Sequence, residues 1–389
     1  MLWLALLLVT VSSADYQVNP EVTDLFVAYS VYHGYRAESH VVETADGYLL
    51  TLFRITGFLN ETIGTQKPVA FLQHGLLDNC DTWIVNDPNL APGFLMVNAG
   101  FDVWFGNSRG SKYSLAHVNM TTKDAAFWAF SWQEMGQYDI PAEIDYVLET
   151  TGAQTLTYIG HSQGTTQMYA LLSEFPAFSS KLNLYVGLGP VATVRNVTLS
   201  LLKIVNCTEF VDLLAKHHIY DIMPYTDAPV FVYEACRVFG LVCSSVVEYL
   251  TDLISSNDNT PRFPVILAHE PGGTSIQNLQ HWAQMSTLPA YRMQKFDYGP
   301  TGNLQRYGQS TPPVYNLSNV NVPHAMFLGA DDKLADPVDG AWLMTQIRSV
   351  VYAETNLPAG HLTFMWGKSS DWFQTVVDLA RKYSGTVTY

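Results

Sequence analysis

The sequence predicts an α/β fold: an open, mostly parallel sheet with helices on both faces and a mainly helical insertion. Three observations lead there. Short apolar or β-rich runs closed by glycine or loop residues recur along the chain, helical patterns lie between several of them, and the rhythm breaks off after Pro190 and resumes near residue 322. Strands of a parallel sheet covered on both faces read as near-continuous apolar runs, which is what these segments show.

In order, Leu49 to Ile55 is strand-like, followed by KPVAFLQHG (67–75), FDVWFGN (101–107), LTYIG (156–160) and LNLYVGLGP (182–190). DIPAEIDYVLETTG reads as a helix between two of them. Asp139 is its expected N-cap, Pro141 falls in the first turn, Ile144, Val147 and Leu148 recur at helical spacing, and Gly152 ends it. From about 193 to 318 the chain carries VFVYEACRVFGLVCSSVVEYL and then a polar, Gly/Pro-rich tract to TPPVYN. Strand signals return in VPHAMFLGADD (322–332) and VVYAETNL (350–357). The expected organisation is a core formed by 15–192 and 319–389, interrupted by an insertion at 193–318.

At 389 residues and 48% hydrophobic, the chain has a globular composition with a large core. Its formal charge of −15 argues against a nucleic-acid or anionic-membrane surface. Leu2 to Val11 is an apolar run followed by Ser12, Ser13 and Ala14, so residues 1–14 read as a signal peptide. No later segment reaches the roughly 18 uncharged apolar residues of a membrane helix. Sequons at Asn60, Asn119, Asn196, Asn206 and Asn316 fit a secretory route, where they are candidate glycan sites. There, Cys80, Cys207, Cys236 and Cys243 either form up to two disulfides or stay as buried thiols. The neighbours Cys236 and Cys243 are the expected pair.

GHSQG (160–164) follows an apolar run and precedes TTQMYALLSE, a helical pattern. Alone the pentapeptide is weak. In a strand-turn-helix setting it describes a strained elbow that exposes Ser162 as a nucleophile beside the free N–H groups of a helix N-terminus. A serine nucleophile needs a base, and the base an orienting acid, in the chain order Ser, Asp, His. MFLGADDKLADP places Asp331 and Asp332 at a strand end with Asp336 and Asp339 nearby, and composition does not choose among the four. His361, in AETNLPAGHLTFMW, is the one histidine beyond Asp332. The oxyanion hole needs the backbone N–H after the serine, that of Gln163, and one from a loop after an early strand, for which Leu76 in FLQHGLLDN is the candidate.

HGLLDNCDTW (74–83), GFDVWFGNSRGSKYS (100–114), FWAFSWQEMGQYDIPAEIDY (127–146), GHSQG, PGGTSIQNLQHW (271–282), DDKLADP (331–337) and GHLTFMW (360–366), taken together, resemble the acid lipase family of gastric and lysosomal acid lipases. GYRAESHVVETADGYLLTLFRI (34–55) is similar to that family's opening, with Arg36 where the family usually has proline. The resemblance implies an α/β-hydrolase fold, a cap with a mobile lid over roughly 193–318, and the triad Ser162, Asp332 and His361, which settles the choice of aspartate. It also implies Leu76 and Gln163 as oxyanion donors and a disulfide between close cap cysteines, although the Cys236 to Cys243 spacing is shorter than the family's. The implied activity is hydrolysis of carboxylic esters of neutral lipids at a lipid–water interface, with no metal or cofactor. A soluble carboxylesterase, an acyltransferase and a non-catalytic lipid-binding protein are the competing expectations. Phe231, Val232, Tyr233, Phe239 and Leu241 suit either an acyl chain or packing between cap helices.

Overall fold

The computed structural model describes residues 19–62, 67–197, 214, 216–225, 229–238 and 256–385. The expected leader, Asn206, Cys207, Phe239, Leu241 and Cys243 lie outside them. The central sheet comprises β1 (Tyr35–Glu43), β2 (Tyr48–Phe58), β3 (Val69–Gln73), β4 (Asp102–Gly106), β5 (Leu156–His161), β6 (Leu182–Leu188), β7 (His324–Gly329) and β8 (Val350–Leu357). They lie in the order β1-β2-β4-β3-β5-β6-β7-β8, with Ala116–His117 added beside β2. β2 runs antiparallel to β1 and β4, and all pairings from β4 to β8 are parallel.

β3, β4, β5 and β7 are buried at every position, which is why their sequences are mostly apolar, with polar residues mainly at their ends. Successive side chains serve opposite faces. Phe71, Tyr158, Tyr185 and Met326 join one core, while their neighbours Leu72, Ile159, Val186 and Phe327 join the other. Each such side chain contributes about 1.5–3 kcal/mol on burial. β1 was not legible as a strand: it is an edge strand whose interior positions are mostly exposed or half-buried, so it has no apolar periodicity.

Helix α1 (Ile140–Thr151) ends as expected at Gly152, in the left-handed conformation at φ 69. Its start differs from the expectation. Asp139 is helical itself and makes no cap, because its carboxylate is taken by Arg109. Helix α2 (Gln163–Glu174) follows β5 and is buried from Gln163 through Ser173, so it threads the interior rather than lying on it. Helices α3 (Pro229–Val238), α4 (Phe263–His269) and α5 (Ile276–Ser286) lie between β6 and β7 in the chain. Val230 and Tyr233 of α3 pack on Val265 and Ala268 of α4, leaving Phe231 75% exposed. Leu279, Trp282 and Ala283 of α5 pack into the core beside Trp132. Helices α6 (Pro337–Gln346) and α7 (Phe373–Tyr383) flank β8, and α7 buries Phe373, Val376, Val377 and Ala380.

One buried charge ties the loop after β4 to this frame. Arg109, 1% exposed, donates from Nε to Asp139 at 2.8 Å and from its two terminal nitrogens to Asp46 at 2.6 and 2.8 Å. Its guanidinium also lies 3.9 Å from the Tyr48 ring centre. Every face of the cation is therefore occupied. Arg109→Met removes the cation and leaves Asp139 buried without its partner. The expected cost is about 3–5 kcal/mol of unfolding free energy in denaturant titration. A cost below about 1 kcal/mol would show that the network does not hold this loop.

Candidate active site

The parallel strands point their C-terminal ends to one edge, and the candidate residues collect there. Ser162 sits between β5 and α2 at φ 53 and ψ −122, a backbone region that costs about 1–3 kcal/mol for a residue with a side chain. Its amide donates to Leu188 O at 3.0 Å, and its carbonyl accepts from the Thr165 amide at 2.9 Å and the Thr165 hydroxyl at 2.6 Å. The turn is tight because α2 must return against β3. A Cβ on Gly164 would lie 2.5 Å from Gln73 O and 2.8 Å from His74 O, so this position admits only glycine without a shift.

Asp332 follows β7 and His361 follows β8. His361 Nε2 lies 2.7 Å from Ser162 Oγ, and His361 Nδ1 lies 2.9 and 3.1 Å from the two Asp332 carboxylate oxygens. Carboxylate oxygens only accept, so Nδ1 carries the proton. In the neutral ring Nε2 then accepts from the Ser162 hydroxyl. Asp332 Oδ1 also accepts from the amides of Leu334 at 2.9 Å and Ala335 at 2.6 Å. Burial works to raise this carboxyl, but His361 and the two amides hold it below the usual aspartate range. The stability that its ionised form contributes is thus present above the ordinary aspartate value and is lost as pH falls through the depressed one. The other three aspartates lie elsewhere: Asp331 is exposed, Asp336 caps α6, and Asp339 accepts from Asn196.

Two further histidines place this row, and sequence reasoning had given neither a role. His161 Nε2 lies 3.0 Å from His361 O, so it carries the proton and anchors the backbone of that residue. His74 Nε2 accepts from the Ser108 amide at 3.1 Å, which leaves Nδ1–H for Gly75 O at 2.9 Å and braces the loop before Leu76. Burial pushes His74 down to about 4 and, with the nearby His361 charge, His161 down to about 3, so both rings are neutral supports. Gly189, at φ 52, makes room beside the row. A Cβ there would lie 3.2 Å from Asp332 Oδ2.

Gln163 is held from above. Its Oε1 accepts from Asn278 Nδ2 at 2.9 Å and from Trp282 Nε1 at 2.8 Å, both on α5. No protein acceptor takes the backbone N–H of Gln163 or of Leu76 among the described residues. Ser162, His361, Gly75 and Leu76 line a cavity of about 220 Å³. Val191, Val194, Met223, Leu267, Leu279, Trp282 and Leu334 make its walls apolar. A hydroxyl relayed through imidazole to a carboxylate, beside two free amides and an apolar cavity, is equipped for acyl transfer.

Of the other expected positions, Asn60, Asn119, Asn196 and Asn316 are exposed, and Asn196 also uses Nδ2 to donate to both Asp339 at 2.7 Å and Tyr291 at 3.0 Å. Cys236 is disulfide-bonded and Cys80 is a free, buried thiol. No group of three or more potential ligands that could hold a metal ion occurs among the described residues.

The family model described as "Partial alpha/beta-hydrolase lipase region" matches residues 26–87, and "alpha/beta hydrolase fold" matches residues 68–368. The chain is 38% identical over 360 residues to gastric triacylglycerol lipase of Bos taurus, covering 90% of this chain and 88% of that one. It is 36% identical over 385 residues to lysosomal acid lipase/cholesteryl ester hydrolase of Homo sapiens, covering 96% and 93%. Among solved structures, DcsB in complex with its substrate analogue superposes with a TM-score of 0.54 at 10% identity, covering 90% of this chain and 99% of that chain, a likeness of fold alone.

Gly164→Ala tests the elbow. Forcing a methyl against the carbonyls of Gln73 and His74 is expected to cost about 1–3 kcal/mol in thermal or chemical unfolding. The same displacement of Ser162 should lower any serine-dependent activity further than the stability loss explains.

Proposed function

Because the chain belongs to the acid lipase family of the α/β hydrolases, we propose that it hydrolyses carboxylic esters of neutral lipids with Ser162 as nucleophile, His361 as base and Asp332 as the acid that orients it. The continuous row of 2.7 and 2.9 Å contacts from Ser162 through His361 to Asp332, at the wall of an apolar cavity, carries this reading. His361 Nε2 accepts the Ser162 proton as Oγ attacks the ester carbonyl. The amides of Leu76 and Gln163 receive the oxyanion. His361 then protonates the leaving alcohol, and water, deprotonated by the same ring, releases the fatty acid from the acyl-enzyme.

The apolar walls fit acyl chains of triacylglycerol or cholesteryl ester, the substrates that the relatives' names carry. In this reading the segment 193–318 is a cap that brings Trp282 and Leu279 over Ser162 and presents the exposed Phe231 to a lipid surface. A lid within it uncovers the cavity there. No described helix is long and apolar enough to cross a membrane. The relatives' names point to the stomach and the lysosome, which suits a secretory-route enzyme with a cleaved leader at 1–14, glycans on exposed sequons, and Cys236 paired with Cys243.

Ser162→Ala should lower kcat by about 10⁴–10⁶-fold on emulsified triacylglycerol and cholesteryl oleate, and Asp332→Asn by about 10⁴-fold through loss of the correct His361 tautomer. A serine-reactive phosphonate should modify Ser162 stoichiometrically. Unlabelled Ser162 in folded protein, or an unchanged rate in Ser162→Ala, would sink the reading. Release of fatty acid outpacing transfer to an added alcohol separates hydrolase from acyltransferase.

A further inference from the structure

Two carboxyl groups that the ester chemistry leaves unused face the same cavity. Asp78 belongs to the loop that carries Leu76, and Glu270 lies just past α4 in the inserted segment. The loop is joined to that segment by three other hydrogen bonds: Gly272 N to Leu77 O at 2.7 Å, Asn79 Nδ2 to His269 O at 3.1 Å, and Asn79 Nδ2 to Glu270 Oε1 at 2.8 Å. Between these bonds the Asp78 and Glu270 carboxyls converge on Asn79, whose amide donates to Asp78 Oδ1 while its Nδ2 donates to Glu270 Oε1, and both carboxyls face the cavity close enough to interact. Glu270 is 9% exposed, and its Oε2 meets no donor among the described residues. Asp78 accepts from the amides of Asn79 at 2.9 Å and, weakly, Gly75 at 3.4 Å, with the Thr82 hydroxyl as a further, uncharged donor.

Two carboxylates cannot meet in this way. Two acceptors in contact within an apolar cavity repel, and the arrangement becomes favourable when one of them keeps a proton and donates it to the other. Neighbouring groups do not remove the need for that proton. Asp81 already binds Lys112 at 2.7 Å, His269 Nδ1 at 2.8 Å and the Tyr113 hydroxyl at 2.9 Å, so those donors are committed. Cys80 adds no positive charge. His361 lies across the cavity, engaged with Asp332.

We propose that Asp78 and Glu270 share one proton and act as a positioning pair, clamping the Leu76 loop to the inserted segment so that the Leu76 amide is held toward Ser162. The inference rests on the reading of Leu76 as an oxyanion donor. Burial, reinforced at Glu270 by the Asp78 charge, favours the protonated form of both, pushing Asp78 up to about 6 and Glu270 well above the usual glutamate range. The sign follows from raised folded values: the clamp is complete at acid pH and is lost as pH rises through them. The alkaline limb of turnover then belongs to this pair, while the acid limb belongs to His361, which must be neutral to act as base.

Glu270→Gln offers Asp78 an amide N–H that does not titrate. With a soluble short-chain ester, the ratio of kcat at about pH 8 to kcat at about pH 5 should rise at least about tenfold over the native protein, the effect of moving the limb by one pH unit, with KM nearly unchanged. Asp78→Asn, which reverses the donor, should do the same, whereas Asp78→Ala should lower kcat at both pH values. Profiles of Glu270→Gln and Asp78→Asn that superimpose on the native one overturn the clamp. Should both variants fail to fold, infrared difference spectra of the native protein decide: loss of a protonated-carboxyl band between about pH 5 and about pH 8 supports the shared proton, and its absence overturns it. Phosphonate labelling of Ser162 at acid pH separates the two failures. Labelled protein with unaltered pH profiles loses only the clamp, and unlabelled native protein loses the hydrolase reading and the clamp with it.

Discussion

The rest of the molecule is arranged around one strained residue. Ser162 at φ 53 holds a conformation that no isolated chain would choose, and the energy must come from its surroundings. β5 supplies a fully buried strand before it, α2 a fully buried helix after it, and Leu188 of β6 the acceptor for its amide. Gly164 lets the helix close on the Gln73 carbonyl without a Cβ between them. A looser turn would spare the strain and also withdraw the hydroxyl from His361, so strain and geometry have one cause.

Helix α5, between β6 and β7 in the chain, is part of that support. Gln163, the residue after the strained serine, is fixed by Asn278 and Trp282 of α5. The same Asn278 accepts from the Trp132 amide at 2.8 Å, and His281 stacks on Trp132 at 3.9 Å between ring centres. Three stretches far apart in sequence, around residues 132, 163 and 278, therefore meet as one polar and aromatic knot in a dry interior. Each group there satisfies another, so a change in one stretch leaves a buried donor or acceptor without a partner in the next.

Much of the sheet was legible because burial on both faces writes itself as apolar runs, and β2 to β8 all lie within or beside the segments read as strands. β1 was not, since an exposed edge strand carries no such signal. Asp139 misled because cap preference is local, whereas Arg109, thirty positions earlier, claims its carboxylate. The meeting of Ser162 and His361 was readable from motif and chain order. Among Asp331, Asp332, Asp336 and Asp339 only geometry or resemblance discriminates, since all four lie in a turn or at a helix start, where carboxylates are ordinary. The supports at His74, His161 and Gln163 were invisible for a further reason. Their work depends on which ring nitrogen or amide faces which carbonyl, and no periodicity records that.

The contact between Ser162 and His361 joins residues 199 positions apart. On a chain made from its N-terminus, β5, the elbow and α2 are all synthesised before the last two strands that bring in Asp332 and His361. The growing polypeptide therefore holds the Ser162 hydroxyl before the residues that will contact it have been made. The row from Ser162 to Asp332 is thus completed by the last part of the chain to be synthesised.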